Sequence, residues 1–276
     1  MSYKTILMHL NHEQRTKQVL AAGNQIATAF GAHLIGLHVF PAYRLRPPIP
    51  VPLGRDVLGN ITAQVNAETG RIKAQFDDAT AGHPFVAEWR SITSERRDPA
   101  EIVMDHGRAA DLIVASQADR SWPLSPILDF PDTLAVESGR PVLVVPTSGL
   151  FEHLPKTITL AWNGRREAAR AVADAMPLLK KAEQVHVLSV TGDTSEGSLP
   201  DTELAASLAR HGVNVSVNTL QASDATTGEE IARRAAERSE LLVMGAYGHS
   251  RLREFILGGV TRHMLRSMTI PVIFSH

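Results

Sequence analysis

The chain has 276 residues, with 28 Lys and Arg against 29 Asp and Glu and a formal net charge of −1. That length suggests one or two domains with a sizeable core, and the balanced charge leaves no electrostatic footprint for nucleic acid or an anionic membrane. Cysteine is absent, which excludes disulfides, thiolate metal sites and cysteine nucleophiles and suits a reducing compartment.

The opening "MSYKTILMHLNHEQ" turns polar too soon for a secretory signal. No stretch is long enough and apolar enough to span a bilayer, so a soluble, cytoplasmic protein is expected. "KTILMHLN" reads as a strand, "HEQRTKQVLAAGNQIATAFGA" as an amphipathic helix and "HLIGLHVF" as a second strand. His9 and His12 lack a carboxylate at metal-ligand spacing, so His9 is expected to be packed and His12 exposed. Pro41 to Asp56, "PAYRLRPPIPVPLGRD", is too rich in proline for a regular helix or central strand. It reads as an extended surface connection, with a lid or a docking segment in polyproline form as the alternative. Further on come a strand in "VAEWRSI", a helix in "DPAEIVMDHGRA" and strands in "AADLIVAS" and "GRPVLVVP".

After a linker from Thr147 to Pro155, the order repeats. "KTITLAWN", "GRREAARAVADAMPLLKKA", "EQVHVLSV", "VNVSVNTL", "TGEEIARRAAE", "RSELLVMG" and "MTIPVIFS" answer the segments of the first half, and Asn163 falls opposite Asn11. Alternating strands and helices predict an α/β fold of two tandem doubly wound units, residues 1–147 and 155–276, with helices on both faces of parallel sheets. The last strands, Val142 to Val145 and Val272 to Ser275, are apolar, and exposed apolar edges invite pairing.

"MGAYGHSRLREFILGGVT", Met244 to Thr261, carries the chemistry. Gly245 is expected to end the fourth strand of the second half, at the edge where open parallel sheets bind ligands, and to let the backbone approach one. Gly258 and Gly259 precede "VTRHMLRSM", whose Val260, Met264, Leu265 and Met268 share one helical face. A helix start offers N–H groups and partial positive charge to a phosphate. The spacing is neither the Walker pattern nor the dinucleotide fingerprint. The competing structural role for these glycines is tight turns and close packing.

At this point the sequence resembles the universal stress protein family in its tandem two-domain form. The ATP-binding branch carries Gly, two residues, Gly, nine residues, Gly and then Ser or Thr, and Gly245, Gly248 and Gly258 keep that spacing. Gly259 stands where the family has a hydroxyl, and Val260 and Thr261 continue as in nucleotide-binding members. The resemblance implies a five-stranded sheet per unit in the order 3-2-1-4-5, with the last strands as edges that pair across the family's dimer and here, with both copies on one chain, within the chain. It also implies ATP as ligand, with or without Mg2+, no nucleic acid or membrane partner, and an unidentified protein partner. By the same resemblance Ala161, Trp162 and Asn163 contact the nucleoside, with Asn163 replacing a frequent aspartate, and Val190 and Met244 pack on adenine.

The first half departs from this pattern. Ser116, Asp119, Asp129 and Phe130 stand opposite Gly245, Gly248, Gly258 and Gly259, and Pro131 opposite Val260. Two carboxylates facing phosphates are unfavourable, so this half is expected to bind no triphosphate. The leading expectation is a regulatory ATP-binding stress-response protein. A nucleotide-free scaffold and a slow ATPase or phosphotransferase are the alternatives, and a homodimer is left open.

Overall fold

The computed structural model describes residues 2–41, 55–149, 151–191, 201–221, 227–246 and 259–276. Gly248, Gly258 and most of the proline-rich segment lie outside them. At that segment's ends, Pro41 closes a strand and Arg55 and Asp56 open a helix.

The first half runs β1 (Thr5–His9), α1 (Glu13–Phe30), β2 (His33–Pro41), α2 (Arg55–Thr80), β3 (Ala87–Ser94), α3 (Pro99–Gly107), β4 (Leu112–Ser116), α4 (Ser125–Leu128), α5 (Pro131–Glu137) and β5 (Val142–Val145). The second runs β6 (Thr157–Trp162), α6 (Arg166–Leu179), β7 (Gln184–Thr191), α7 (Asp201–Arg210), β8 (Val215–Gln221), α8 (Thr227–Arg238), β9 (Leu241–Gly245), α9 (Gly259–Ser267) and β10 (Val272–Ser275). All ten strands form one sheet in the order β3-β2-β1-β4-β5-β10-β9-β6-β7-β8. Each half therefore has the expected 3-2-1-4-5 order.

Within each half the strands are parallel, and the one antiparallel pair among them joins β5 to β10. Its register sets Val272 against Val144, Ile273 against Leu143 and Phe274 against Val142. Strand side chains alternate between faces. Leu143, Val145 and Ile273 enter one apolar cluster, and Val142, Val144, Val272 and Phe274 enter the other. The first cluster also takes Val19, Phe76, Ala171 and Leu208 from α1, α2, α6 and α7. The second takes Val103, Leu134, Ile231 and Met264 from α3, α5, α8 and α9. Both cores thus run unbroken through both halves. A one-residue slip in the β5–β10 register would turn these side chains to the wrong face.

Contacts off the sheet fix the halves further. The Tyr3 hydroxyl donates to the Asp174 carbonyl at 2.8 Å, and burial first, then Asp174 and Asp111, pushes its ionisation upward. Phe151, within the linker, is buried in the first core, and Gln25 Nε2 donates to the Glu152 carbonyl at 2.7 Å. The halves also run in opposite directions. The carboxyl ends of β1 and β4 lie on one rim of the sheet and those of β6 and β9 on the other. Phe274 is fully buried at the junction. Phe274→Ala is expected to cost about 3–5 kcal/mol, read as a lower midpoint in guanidinium unfolding, with both halves losing structure in one transition.

Candidate functional site

In the second half, β9 ends at Gly245 between β6 and β10, where strand order reverses. Ligands of open α/β sheets sit at such a crevice. The turn out of β6 uses Asn163 and Gly164. Asn163 is exposed, and its Oδ1 accepts the Arg165 N–H at 3.1 Å. Gly164 has φ 71°, a left-handed conformation that favours glycine. The acceptor expected to orient a nucleoside thus also shapes the entry to α6.

Gly245 has a packing role that the sequence reading set against ligand approach. A Cβ there would lie 2.6 Å from the Glu167 carbonyl carbon and 2.7 Å from the Ala168 nitrogen, so β9 lies directly against the first turn of α6. At Gly259, the first residue of α9, a Cβ would meet nothing within 4 Å. Among the described residues nothing covers the start of α9 on that side. Thr261 in its first turn is buried, and Val260 packs on the second core with Met264, Leu265 and Met268. The shared face of this helix is as expected. Met244 is 4 % exposed and sits in the second core. Ala161 and Trp162 end β6 beside Leu188 and Ser189, and Val190 lies in β7 opposite Leu220. The structure therefore brings Asn163, Gly245 and the ends of β6 and β7 to one rim. Gly248 and Gly258 fall outside the described residues.

A carboxylate not singled out in the sequence lies at this rim. The Glu167 side chain is 5 % exposed and accepts from Arg166 Nε, while its Oε2 has no hydrogen-bond partner. Burial works against its ionisation, but Arg166, a backbone N–H and His276 hold the carboxyl below its ordinary value. Trp162 Nε1 and Ser275 Oγ are also buried without partners. His276 Nδ1 donates to the Ala246 carbonyl at 2.9 Å and closes the end of β9.

The rim of the first half is built the opposite way. Glu167 stands four residues after Asn163, and Arg15 four residues after Asn11. Arg15 is 5 % exposed and reaches Asp129, whose side chain is fully buried, at 3.3 Å. Asp129 Oδ1 also accepts from Asn11 Nδ2 at 2.5 Å, and Oδ2 accepts from the Asp119 N–H at 2.9 Å. Asp129 does not face outward as its alignment with Gly258 suggested. It turns inward, and the donors of this rim are engaged by the protein's own carboxylate. Asp119 accepts from the N–H and hydroxyl of Ser121.

His9 is buried and stacks on Phe130 at 4.8 Å. His12 is half-buried rather than exposed, because its Nδ1 caps α1 by accepting the Gln14 N–H and its ring meets Trp122 edge-on at 4.3 Å. Among the described residues no group of three or more His, Cys, Asp or Glu could hold a metal ion. Nor is any helix among them long and apolar enough to cross a membrane.

Arg15→Ala would leave Asp129 buried without its cation and is expected to cost about 3–5 kcal/mol. Arg15→Met combined with Asp129→Leu should recover most of that loss in urea unfolding. Burial first, then the charges of His38 and Arg15, lowers the His9 pKa from 6.5 to about 3. The unfolded chain therefore binds an extra proton between those values, so stability falls as pH drops from about 6.5 toward 3. His9→Phe should flatten that slope in melting temperatures measured across the range.

Comparison with known proteins accords with this architecture. Residues 155–276 match the universal stress protein family. The crystal structure of a universal stress protein from Archaeoglobus fulgidus DSM 4304 superposes with a TM-score of 0.68 at 16% identity, over 98% of this chain and 95% of that one. A functionally unknown protein from Pseudomonas aeruginosa PAO1 superposes at 0.60 and 15% identity, over 99% of this chain and 92% of that one. A hydrophobic dipeptide epimerase from Citrifermentans bemidjiense is 31% identical over 159 residues, which is 57% of this chain. The match spans only 37% of that curated relative's length. Residues 155–276 thus resemble the universal stress protein family, and the whole length takes the fold of a solved universal stress protein.

Proposed function

We propose that the protein is a cytoplasmic stress-response regulator that binds ATP, or another adenine nucleotide, in its second half without rapid turnover. The observation that carries this reading is the start of α9. Gly259 opens the helix, and no described residue lies within 4 Å of where its side chain would stand. Main-chain N–H groups and the helix dipole favour phosphate at such a place. The family match to residues 155–276 and the Gly245, Gly248, Gly258 spacing support the same reading. Asn163 and the ends of β6 and β7, with Val190, line the approach to the nucleoside in this proposal. The first half, with Asp129 engaging its donors, takes no nucleotide. Binding to the folded chain alone would raise its stability with ligand excess, and this change is the signal offered to a partner protein.

A second reading, a nucleotide-free scaffold, has one specific observation in its favour. Glu167 is a buried carboxylate beside Gly245 with one oxygen unpartnered, and like charges in a poorly solvated site repel.

Denaturing the purified protein and chromatographing the released small molecules separates the two readings. The nucleotide reading expects an adenine nucleotide at no more than one per chain, and calorimetry with added ATP should saturate at the same ratio. Gly258→Asp should remove ATP binding while circular dichroism stays unchanged. Unaltered ATP affinity in that variant would eliminate the glycine loop as the site.

A further inference from the structure

On the first-half rim, the loop after β4 faces α9 from Arg262 onward, and Met268 beyond it, across a cleft of about 590 Å³. That volume is within the range of small-molecule sites. Its lining includes Arg120 from the loop and Arg262 and Arg266 from α9. The two α9 arginines are four residues apart and so lie on one helix face. Leu265, Met268 and Pro131 give the cleft apolar walls.

Charge accounts for the rest. Among the described residues none of the three guanidinium groups makes an ion pair or hydrogen bond. Partial desolvation and the positive fields of Arg120 and Arg262 pull Arg266 below its ordinary pKa. Three carboxylates also line the cleft, yet none pairs with these arginines. Asp129 is held by Arg15 and Asn11, Asp119 accepts from Ser121, and Asp132 sits in the first turn of α5, where the helix dipole favours it. Three guanidinium groups are gathered in a concave place where no carboxylate of the described residues pairs with them, an arrangement suited to a phosphate.

The cleft is also braced. Gln117, buried at its back, donates from Nε2 to the Leu265 carbonyl at 3.1 Å and accepts the Thr147 N–H at 3.2 Å. The loop carrying Arg120 is thereby tied to the helix carrying the other two arginines.

We infer that this cleft is a second anion site, taking the phosphate groups of a small phosphorylated compound between Arg120, Arg262 and Arg266. It lies on the first-half rim, against Arg120 and the loop after β4, and does not rest on the nucleotide reading.

Inorganic pyrophosphate is the probe. Calorimetric titration of the intact chain at low salt should show saturable binding that weakens as salt rises. Arg262→Gln combined with Arg266→Gln should weaken it at least tenfold, and Arg120→Gln alone severalfold. The unliganded double variant should melt no lower than the parent, since it loses only mutual repulsion. The proposal is overturned if millimolar pyrophosphate does not bind, or if the double arginine variant binds as well as the parent.

Discussion

Phe274, Ile273 and Val272 lie antiparallel to Val142, Leu143 and Val144, and every larger feature of the molecule depends on that short ladder. It joins two five-stranded sheets into one and makes each apolar cluster continuous across the chain. It also sets direction. Because the pair is antiparallel, the two functional rims face opposite ways, and α9 runs from one to the other. Nine residues of helix span about 13 Å. Its first turn belongs to the glycine loop of the second half, and its last turn forms a wall of the cleft on the first.

The two rims show what happens when one architecture is used twice with different charges. Four residues after the paired asparagines, the first half has Arg15 and the second has Glu167. In the first half the arginine is matched by Asp129 where the second half has Gly258. A buried charge without a partner is costly, so this inversion had to be compensated, and a fully buried carboxylate does so. In the second half no aspartate fills the corresponding place. The carboxylate of Glu167 shares its charge with exposed Arg166 instead. One rim is closed on itself, and at the other no described residue covers Gly259 at the helix start.

Much of the fold was legible in the sequence because it rests on periodicity. The repeated apolar runs gave the strands, the shared face of Val260, Met264, Leu265 and Met268 gave α9, and the two terminal apolar runs pointed to their own pairing. Contacts between distant positions were not legible. Arg15 meets Asp129 across 114 residues and Gln117 meets Leu265 across 148, and no local pattern encodes either. A hint existed in the charge inversion at the position of Arg15 and Glu167, which alignment of the halves exposes. The role of Gly245 was open for a related reason. Glycine is compatible with ligand approach and with close packing, and only the neighbouring turn of α6 reveals the contact of 2.6 Å that a Cβ would make. Met244 reads as a surface for adenine by analogy, yet its place in β9 puts it in the core.

The antiparallel junction is the kind of contact that two separate subunits make about a two-fold axis. Here both sides belong to one chain, so it has no dissociation constant and cannot be lost on dilution. A symmetric pair would have to carry each substitution twice. Covalent linkage removes that requirement, and one half can carry a self-neutralised rim around Arg15 and Asp129 without imposing it on its neighbour.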